Sequence, residues 1–225
     1  MEQLTIYTAM VGELDYAEFT LPAIEAYCQR NGYTLERITD PPQDKRHPTW
    51  QKLRAAFLHD FDRHGTCLVM DADMLPLPWA APIHKKLSDS RLSLTRIGLS
   101  KRARKRFTEL EISESYWFND SLIGIPPSMA AFVRDTYTHT RDAETIPYAE
   151  MAALCRKLER DRIPSAAVNV ISGRFDCLVQ KPSQLERTDL LRLHFLHFAG
   201  PDHKKLELAK AASKRFYGRL ARGSA

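Results

Sequence analysis

No two cysteines in the chain stand at C-x-x-C spacing; Cys28, Cys67, Cys155 and Cys177 are scattered along 225 residues. That excludes the usual zinc-site spacings and makes a secreted disulfide scaffold an unusual choice at this length, so reduced thiols in a cytoplasmic protein are expected. No apolar run approaches the roughly 20 residues needed to span a bilayer. No basic stretch precedes Leu4-Thr5-Ile6-Tyr7, so a signal peptide is not expected and a soluble protein is. Internal repeats, linkers and low-complexity tracts are missing too, which leaves one domain over 1–225 as the simplest organisation. Neither an aromatic-basic RNA-binding signature nor finger spacing is present.

What remains is a globular composition, 44% hydrophobic and 27% charged, which gives no sign of disorder. The net charge of +5 favours anionic partners, whether nucleotides, nucleic acid or an anionic membrane face, without choosing among them. No obligate protein partner is evident.

The order of the elements points to an α/β fold. A strand at Leu4 to Ala9, a helix from Pro22 to Asn31 stopped by Gly32, and a strand at Thr34 to Ile38 form a βαβ opening. Thr49 is placed to cap a helix whose Trp50, Leu53, Phe57 and Phe61 form one apolar stripe. A helix follows Pro82, a strand covers Leu92 to Thr95, and two apolar pieces flank the polar triplet Asn119-Asp120-Ser121. Helices are expected from Pro126 to about Thr140 and from Thr145 to Arg160, with strands at Ala167 to Ile171 and Phe175 to Val179. Residues 204–222 read as a basic C-terminal helix. It could lie on an anionic bilayer, track nucleic-acid phosphates, or pack its apolar side on the domain, the commonest outcome. The run Lys101 to Arg106 is read first as a solvated face.

The chemistry concentrates at Cys67-Leu68-Val69-Met70-Asp71-Ala72-Asp73. Four apolar residues bounded by Gly65 predict a buried central strand, and two carboxylates follow at its C-terminal end, where α/β sheets place ligands. On an extended chain Asp71 and Asp73 point the same way, a pair suited to Mg²⁺ or Mn²⁺; a capping or turn role is the alternative. His197 stands before Phe198-Ala199-Gly200, and an imidazole beside two carboxylates favours Mn²⁺ over Mg²⁺. From the residues alone His197 is as readily a core histidine, although His194 fits that description better.

The ordered set of Trp50-Gln51-Lys52, Val69-Met70-Asp71-Ala72-Asp73-Met74, Trp117-Phe118-Asn119-Asp120-Ser121-Leu122-Ile123-Gly124-Ile125 and His197-Phe198-Ala199-Gly200 resembles the metal-dependent glycosyltransferases of GT-A fold. The likeness is to the family 8, galactosyltransferase-like, retaining type. The resemblance implies a single GT-A-like (Rossmann-like) domain with a mostly parallel central sheet flanked by helices. It implies Asp71, Asp73 and His197 as ligands of Mn²⁺ (or Mg²⁺) against the diphosphate of a nucleotide sugar, UDP-linked in the first instance. Thr8 and Ala9 would border the nucleoside, with Lys52, Gly200 and Lys204 near the phosphates or donor.

Two departures are visible. Asn119-Asp120-Ser121 stands where the family has Asn-x-Gly, and the family's Asp-Gln pair has Glu150 as its nearest counterpart. Asn119, Asp120 and Glu150 are therefore the catalytic candidates, with Asp120 or Glu150 as base if the reaction inverts. The acceptor is unidentified, with an anionic glycolipid, a lipopolysaccharide or a nucleic-acid base suggested by the basic segments, and peripheral membrane contact by the last of them. Two other classes compete: a haloacid-dehalogenase-type phosphatase with Asp71 as nucleophile, and a non-catalytic nucleic-acid-binding protein.

Overall fold

The run Cys67-Leu68-Val69-Met70 forms a strand with every residue buried, and the larger sheet extends outward from it on both sides. This is seen in a computed structural model, which describes residues 4–41, 46–96, 101–140, 149–186 and 188–218. In chain order the elements are β1 (Thr5–Ala9), α1 (Ala17–Asn31), β2 (Thr34–Ile38), α2 (Ala55–Leu58), α3 (Phe61–His64), β3 (Cys67–Met70), β4 (Met74–Pro76), β5 (Ser93–Thr95), α4 (Lys101–Glu109), β6 (Asn119–Ile125), α5 (Ala130–His139), α6 (Ala149–Arg160), β7 (Asn169–Ile171), β8 (Cys177–Val179), β9 (Phe195–Phe198) and α7 (Asp202–Tyr217).

Six strands form a sheet in the order β2-β1-β3-β6-β5-β7, and β4-β9-β8 form a second sheet. Among the described strands of the larger sheet, β6 alone runs against the others, which gives the mostly parallel sheet expected. Because side chains alternate along a strand, β3 feeds two cores. Cys67 and Val69 enter one with Trp50, Leu53, Phe118, Ile123 and Leu158. Leu68 and Met70 enter the other with Ile24, Tyr27, Leu122, Phe175 and Phe195. Such burial on both faces is why this strand is apolar without alternation.

Several expectations are corrected. Helix α1 begins at Ala17, five residues before Pro22, which sits inside it; a proline in a helix forfeits one backbone bond and need not mark the start. The segment from residue 49 is not one helix. A 3-10 stretch, Pro48–Arg54, is capped by the His47 side chain and not by Thr49, and His59 is extended between α2 and α3. The apolar stripe fails with it, since Phe57 is 47% exposed. The helix expected after Pro82 is a 3-10 turn, Ile83–Lys86. The polar triplet 119–121 does not separate two strands but opens β6. The second sheet was not anticipated as a sheet. Helix α7 starts at Asp202 and packs Leu208, Ala209 and Ala212 inward, while residues 219–222 of the expected basic helix lie outside the described residues. So do Thr145 to Tyr148 ahead of α6, and the side chains of Lys101, Arg102 and Arg106.

Candidate metal and substrate site

The carboxylates of the Asp-x-Asp pair lie where the two sheets meet. Beyond β3, the Asp71 N–H donates to the Ser121 carbonyl at 2.9 Å, extending the pairing by one residue. The chain then turns, with the Met74 N–H reaching the Asp71 carbonyl at 3.2 Å and the Thr20 hydroxyl donating to the Ala72 carbonyl at 2.6 Å. Asp71 and Asp73 thus converge through a turn and not through the pleat of a strand. On the far side, Met74 of β4 pairs with His197 of β9, and the Phe198 N–H donates to the Asp73 carbonyl at 3.0 Å. The register of the second sheet is what brings His197 to the aspartates.

One ligand atom from each of Asp71, Asp73 and His197 lies within 4.8 Å of the other two. A lysine takes one oxygen of each carboxylate, Lys52 Nζ at 2.9 Å from Asp71 Oδ1 and Lys205 Nζ at 2.6 Å from Asp73 Oδ2. The buried Asp73 Oδ1 makes no hydrogen bond, although His197 Nε2 stands 3.4 Å from it. Burial raises the Asp71 carboxyl to about 6 despite Lys52. At Asp73 burial opposes the charge as well, but His197 and Lys205 outweigh it and hold the carboxyl below its usual value. Burial alone would lower the His197 pKa; Asp73 and Asp176 reverse that and raise it to about 9. An imidazole drawn to the charged form between two carboxylates, beside a buried oxygen without a donor, is an environment that a divalent cation satisfies with these same atoms.

Lys52 is the second centre. Its ammonium, 4% exposed as a residue, lies 3.3 Å from Asp120 Oδ2 and 3.8 Å from Glu150 Oε1, in addition to Asp71. Desolvation disfavours its charge, yet Asp120, Asp71 and Glu150 together hold its pKa well above normal. Burial lifts Asp120 to about 6 and raises Glu150 as well. Asp120 reaches this place through an irregularity in the sheet. The β5–β6 register jumps between Leu94↔Ile123 and Thr95↔Asn119, so Asp120, Ser121 and Leu122 bulge away from β5. Asp120 Oδ2 and Glu150 Oε2 are buried without a hydrogen bond.

The remaining predicted residues are placed as follows. Asn119, half-buried, turns its Oδ1 to accept from the Ser121 N–H at 3.0 Å. Thr8 is fully buried at the end of β1 with an unbonded hydroxyl, and Ala9 follows it. Gly200 adopts φ +128°, a conformation natural to glycine, as the chain turns into α7. Lys204 is exposed, and its neighbour Lys205 is the lysine that reaches Asp73. His194 stacks on Phe175 at 4.3 Å and accepts from the Ala81 N–H, a packing role.

Two functional-looking residues escaped the sequence reading. Lys205 is one residue from the lysine that was chosen, and the helical phase of α7 decides between them. Asp176, with its side chain fully buried, accepts from His197 Nδ1 at 2.9 Å. An acid inside the apolar stretch Phe175 to Val179 was a signal that could have found it, since buried carboxylates are rare unless partnered.

No family model matches the sequence and no curated protein does. Solved structures do. A glycosyltransferase involved in the glycosylation of the major capsid of PBCV-1 is similar at 14% identity and TM-score 0.64, over 92% of this chain and 99% of that one. The galactosyltransferase LgtC, solved with donor and acceptor sugar analogs, is similar at 15% identity and TM-score 0.51, over 92% and 95%. The apo-form glycosyltransferase GlyE of Streptococcus pneumoniae TIGR4 is similar at 8% identity and TM-score 0.58, over 98% of this chain and 64% of that one. The chain has a GT-A glycosyltransferase fold. The resemblance drawn from the motifs therefore holds at the level of fold, with the Asp-x-Asp turn at the C-terminal end of β3. Among the described residues no helix is long and apolar enough to cross a membrane.

Proposed function

We propose that the protein transfers a sugar from a nucleotide-diphosphate sugar, UDP-linked in the first instance, in a reaction dependent on Mn²⁺ (or Mg²⁺). The observation that carries this reading is the convergence of Asp71, Asp73 and His197 at one point of a GT-A fold, with a lysine on either side. Transfer breaks the bond between the anomeric carbon and the diphosphate oxygen, and the cation supplies electrostatic stabilisation of the departing diphosphate.

The chain's own residues do the rest. Asp71, Asp73 and His197 would hold the cation. Lys52 and Lys205 fix the two aspartates and would add positive charge beside the leaving group, with the exposed Lys204 next to Lys205 in α7. Thr8 and Ala9, at the end of β1, would border the nucleoside, and Gly200 would let the backbone approach the phosphates. Asp120 and Glu150, on the other side of Lys52, present acceptor oxygens to the sugar hydroxyls, while Asn119 holds the β6 bulge that carries Asp120. If the reaction inverts, Asp120 or Glu150 is the base, and burial has already moved both pKa values toward neutrality. An anionic acceptor, glycolipid or nucleic-acid base, suits the exposed Lys204, Lys210, Lys214 and Arg215 of α7.

The test is a thermal-shift panel of UDP, GDP and their sugars with and without Mn²⁺. A ligand at about 100 times its Kd should stabilise by ~2.7 kcal/mol, a rise in Tm of roughly 5–10 °C. If no nucleotide stabilises the protein in a metal-dependent way, the reading is lost. Hydrolysis of the responding donor then names the sugar. Phosphate release from a generic phosphoester, abolished in Asp71→Asn, would instead indicate the phosphatase. Salt-sensitive DNA binding indifferent to both metal and nucleotide would indicate the nucleic-acid-binding protein.

A further inference from the structure

Asp176 is a carboxylate with no exposed surface, placed between the short 3-10 turn Gly173–Phe175 and β8. Burial of a charge is tolerated when hydrogen-bond donors surround it, and three do here. His197 Nδ1 lies 2.9 Å from Oδ1. Oδ2 takes the Thr95 hydroxyl at 2.7 Å and the Ser121 hydroxyl as well. An ionised carboxylate has no proton to give, so all three partners must donate to it. The Nδ1 atom therefore carries a hydrogen. When the imidazole is neutral its lone pair is on Nε2, the nitrogen that faces the unbonded Asp73 Oδ1. Two lone pairs in that arrangement repel unless a cation or proton lies between them.

Thr95 and Ser121 belong to β5 and to the β6 bulge in the larger sheet, whereas His197 belongs to the smaller sheet. Asp176 thus ties the ring of the histidine to the frame that also carries Asp71. We propose that Asp176 is a positioning residue: through Oδ1 it fixes the tautomer and ring orientation of His197, so that Nε2 stands as the third ligand beside Asp71 and Asp73. This rests on the reading of those three residues as a divalent-cation site. A carboxylate behind a ligating imidazole fixes the ring and increases its basicity, and removing one weakens metal affinity by about 10–100-fold.

The test compares wild type with Asp176→Asn by Mn²⁺ titration, following free Mn²⁺ by electron paramagnetic resonance. The asparagine keeps the shape and, with its one oxygen held by the two hydroxyl donors, turns an N–H₂ toward Nδ1, which can then no longer donate there. Mn²⁺ affinity should fall by about 10–100-fold, and the loss should vanish in a His197→Ala background. In the Co²⁺-loaded wild type the Nδ1–H should give a hyperfine-shifted, slowly exchanging proton resonance that Asp176→Asn loses. A merely structural role would lower Tm and leave both readouts unchanged, and a folded Asp176→Asn with wild-type affinity and an intact resonance would overturn the proposal. If Asp176→Asn does not fold, the Thr95→Val/Ser121→Ala pair, which leaves Asp176 free to rotate, must weaken Mn²⁺ in the same direction; unchanged affinity there also overturns it. A wild type that takes up no Mn²⁺ refutes the cation site itself, which separates the two failures.

Discussion

Replacing Lys52 with methionine removes one ammonium and little volume, and it asks what that ammonium does. The side chain is 5% exposed and faces Asp71, Asp120 and Glu150 at 2.9, 3.3 and 3.8 Å. Without it, the buried carboxyl groups of Asp120 and Glu150 and the half-buried one of Asp71 share a site with no compensating charge beside Asp120 and Glu150. Breaking a buried ion pair from one side costs ~3–5 kcal/mol, which for a chain of this size lowers Tm by roughly 6–20 °C. The sign of the pH dependence follows from proton binding. Asp71 and Asp120 already titrate at about 6 in the folded protein, above their normal 3.8, with Lys52 lowering them. Deleting the lysine raises them further. A carboxyl whose folded pKa exceeds its unfolded one contributes stability below the unfolded value and loses it as pH climbs through the folded value. The Lys52→Met deficit must therefore be larger at pH 8 than at pH 5, and adding Glu150→Gln should recover part of it. Thermal denaturation of the metal-free variants at the two pH values is sufficient. A deficit below about 1 kcal/mol, the scale of an exposed ion pair, or one identical at pH 5 and pH 8, would refute the argument that Lys52 neutralises a buried acidic cluster.

Two further outcomes are expected. Gly124→Ala should destabilise by about 1–3 kcal/mol in chemical denaturation, because its Cβ would lie 2.8 Å from Leu87 Cδ2 and 2.8 Å from Ser93 Cβ on the neighbouring strand; a neutral result would mean that β5 and β6 can separate freely. Saturating Mn²⁺ should slow amide hydrogen exchange in residues 71–73, β9 and its paired strand β4 while leaving β2 unchanged, since the candidate ligands come from residues 71–73 and β9 and none comes from β2. Uniform or absent protection would contradict a cation held across the two sheets.

The parts of the molecule legible in the sequence are those set by local pattern. The strand Cys67–Met70 was readable because a continuous apolar run between Gly65 and an acidic turn has few other uses. Thr34–Ile38 and the α1 stop at Gly32 followed from β-branching and from a glycine in the left-handed region, φ +68°. Residues 48–64 were misread because Trp50, Leu53 and Phe57 fit a helical period, whereas the segment packs against β1 and β3, buries Gln51 and Lys52 too, and breaks at His59. Tertiary context overrode the period. Asp71 and Asp73 were found, but through the wrong geometry, since a turn held by Thr20 brings them together. Asp176 and Lys205 were missed because their importance comes from pairing between elements distant in sequence. No local signal decides which of Lys204 and Lys205 faces inward until the phase of α7 is known.

The balance of charge at the seam of the two sheets argues for function over stability. Asp71, Asp73, Asp120, Glu150 and Asp176 place five carboxyl groups against Lys52, Lys205 and His197. Well-packed apolar residues of similar volume would generally serve folding as well or better than buried ion pairs. The surrounding layers show that this chain can supply them, for Leu68, Met70, Leu122 and Phe195 pack without an exposed atom within a few residues of the acids. The satisfied members of the set are Asp71, held by Lys52, and Asp176, whose oxygens receive three donors. The unsatisfied ones are Asp73 Oδ1, Asp120 Oδ2 and Glu150 Oε2. Asp73 Oδ1 belongs to the Asp-x-Asp turn and Asp120 Oδ2 and Glu150 Oε2 to the cluster around Lys52, so an unmet demand for hydrogen-bond donors is present in both. A cation would answer it at Asp73, and a polyhydroxylated ligand would answer it at Asp120 and Glu150. The nucleotide sugar and divalent cation of the proposed reaction would bring both together, which joins the acidic cluster and the Asp-x-Asp turn in one candidate site.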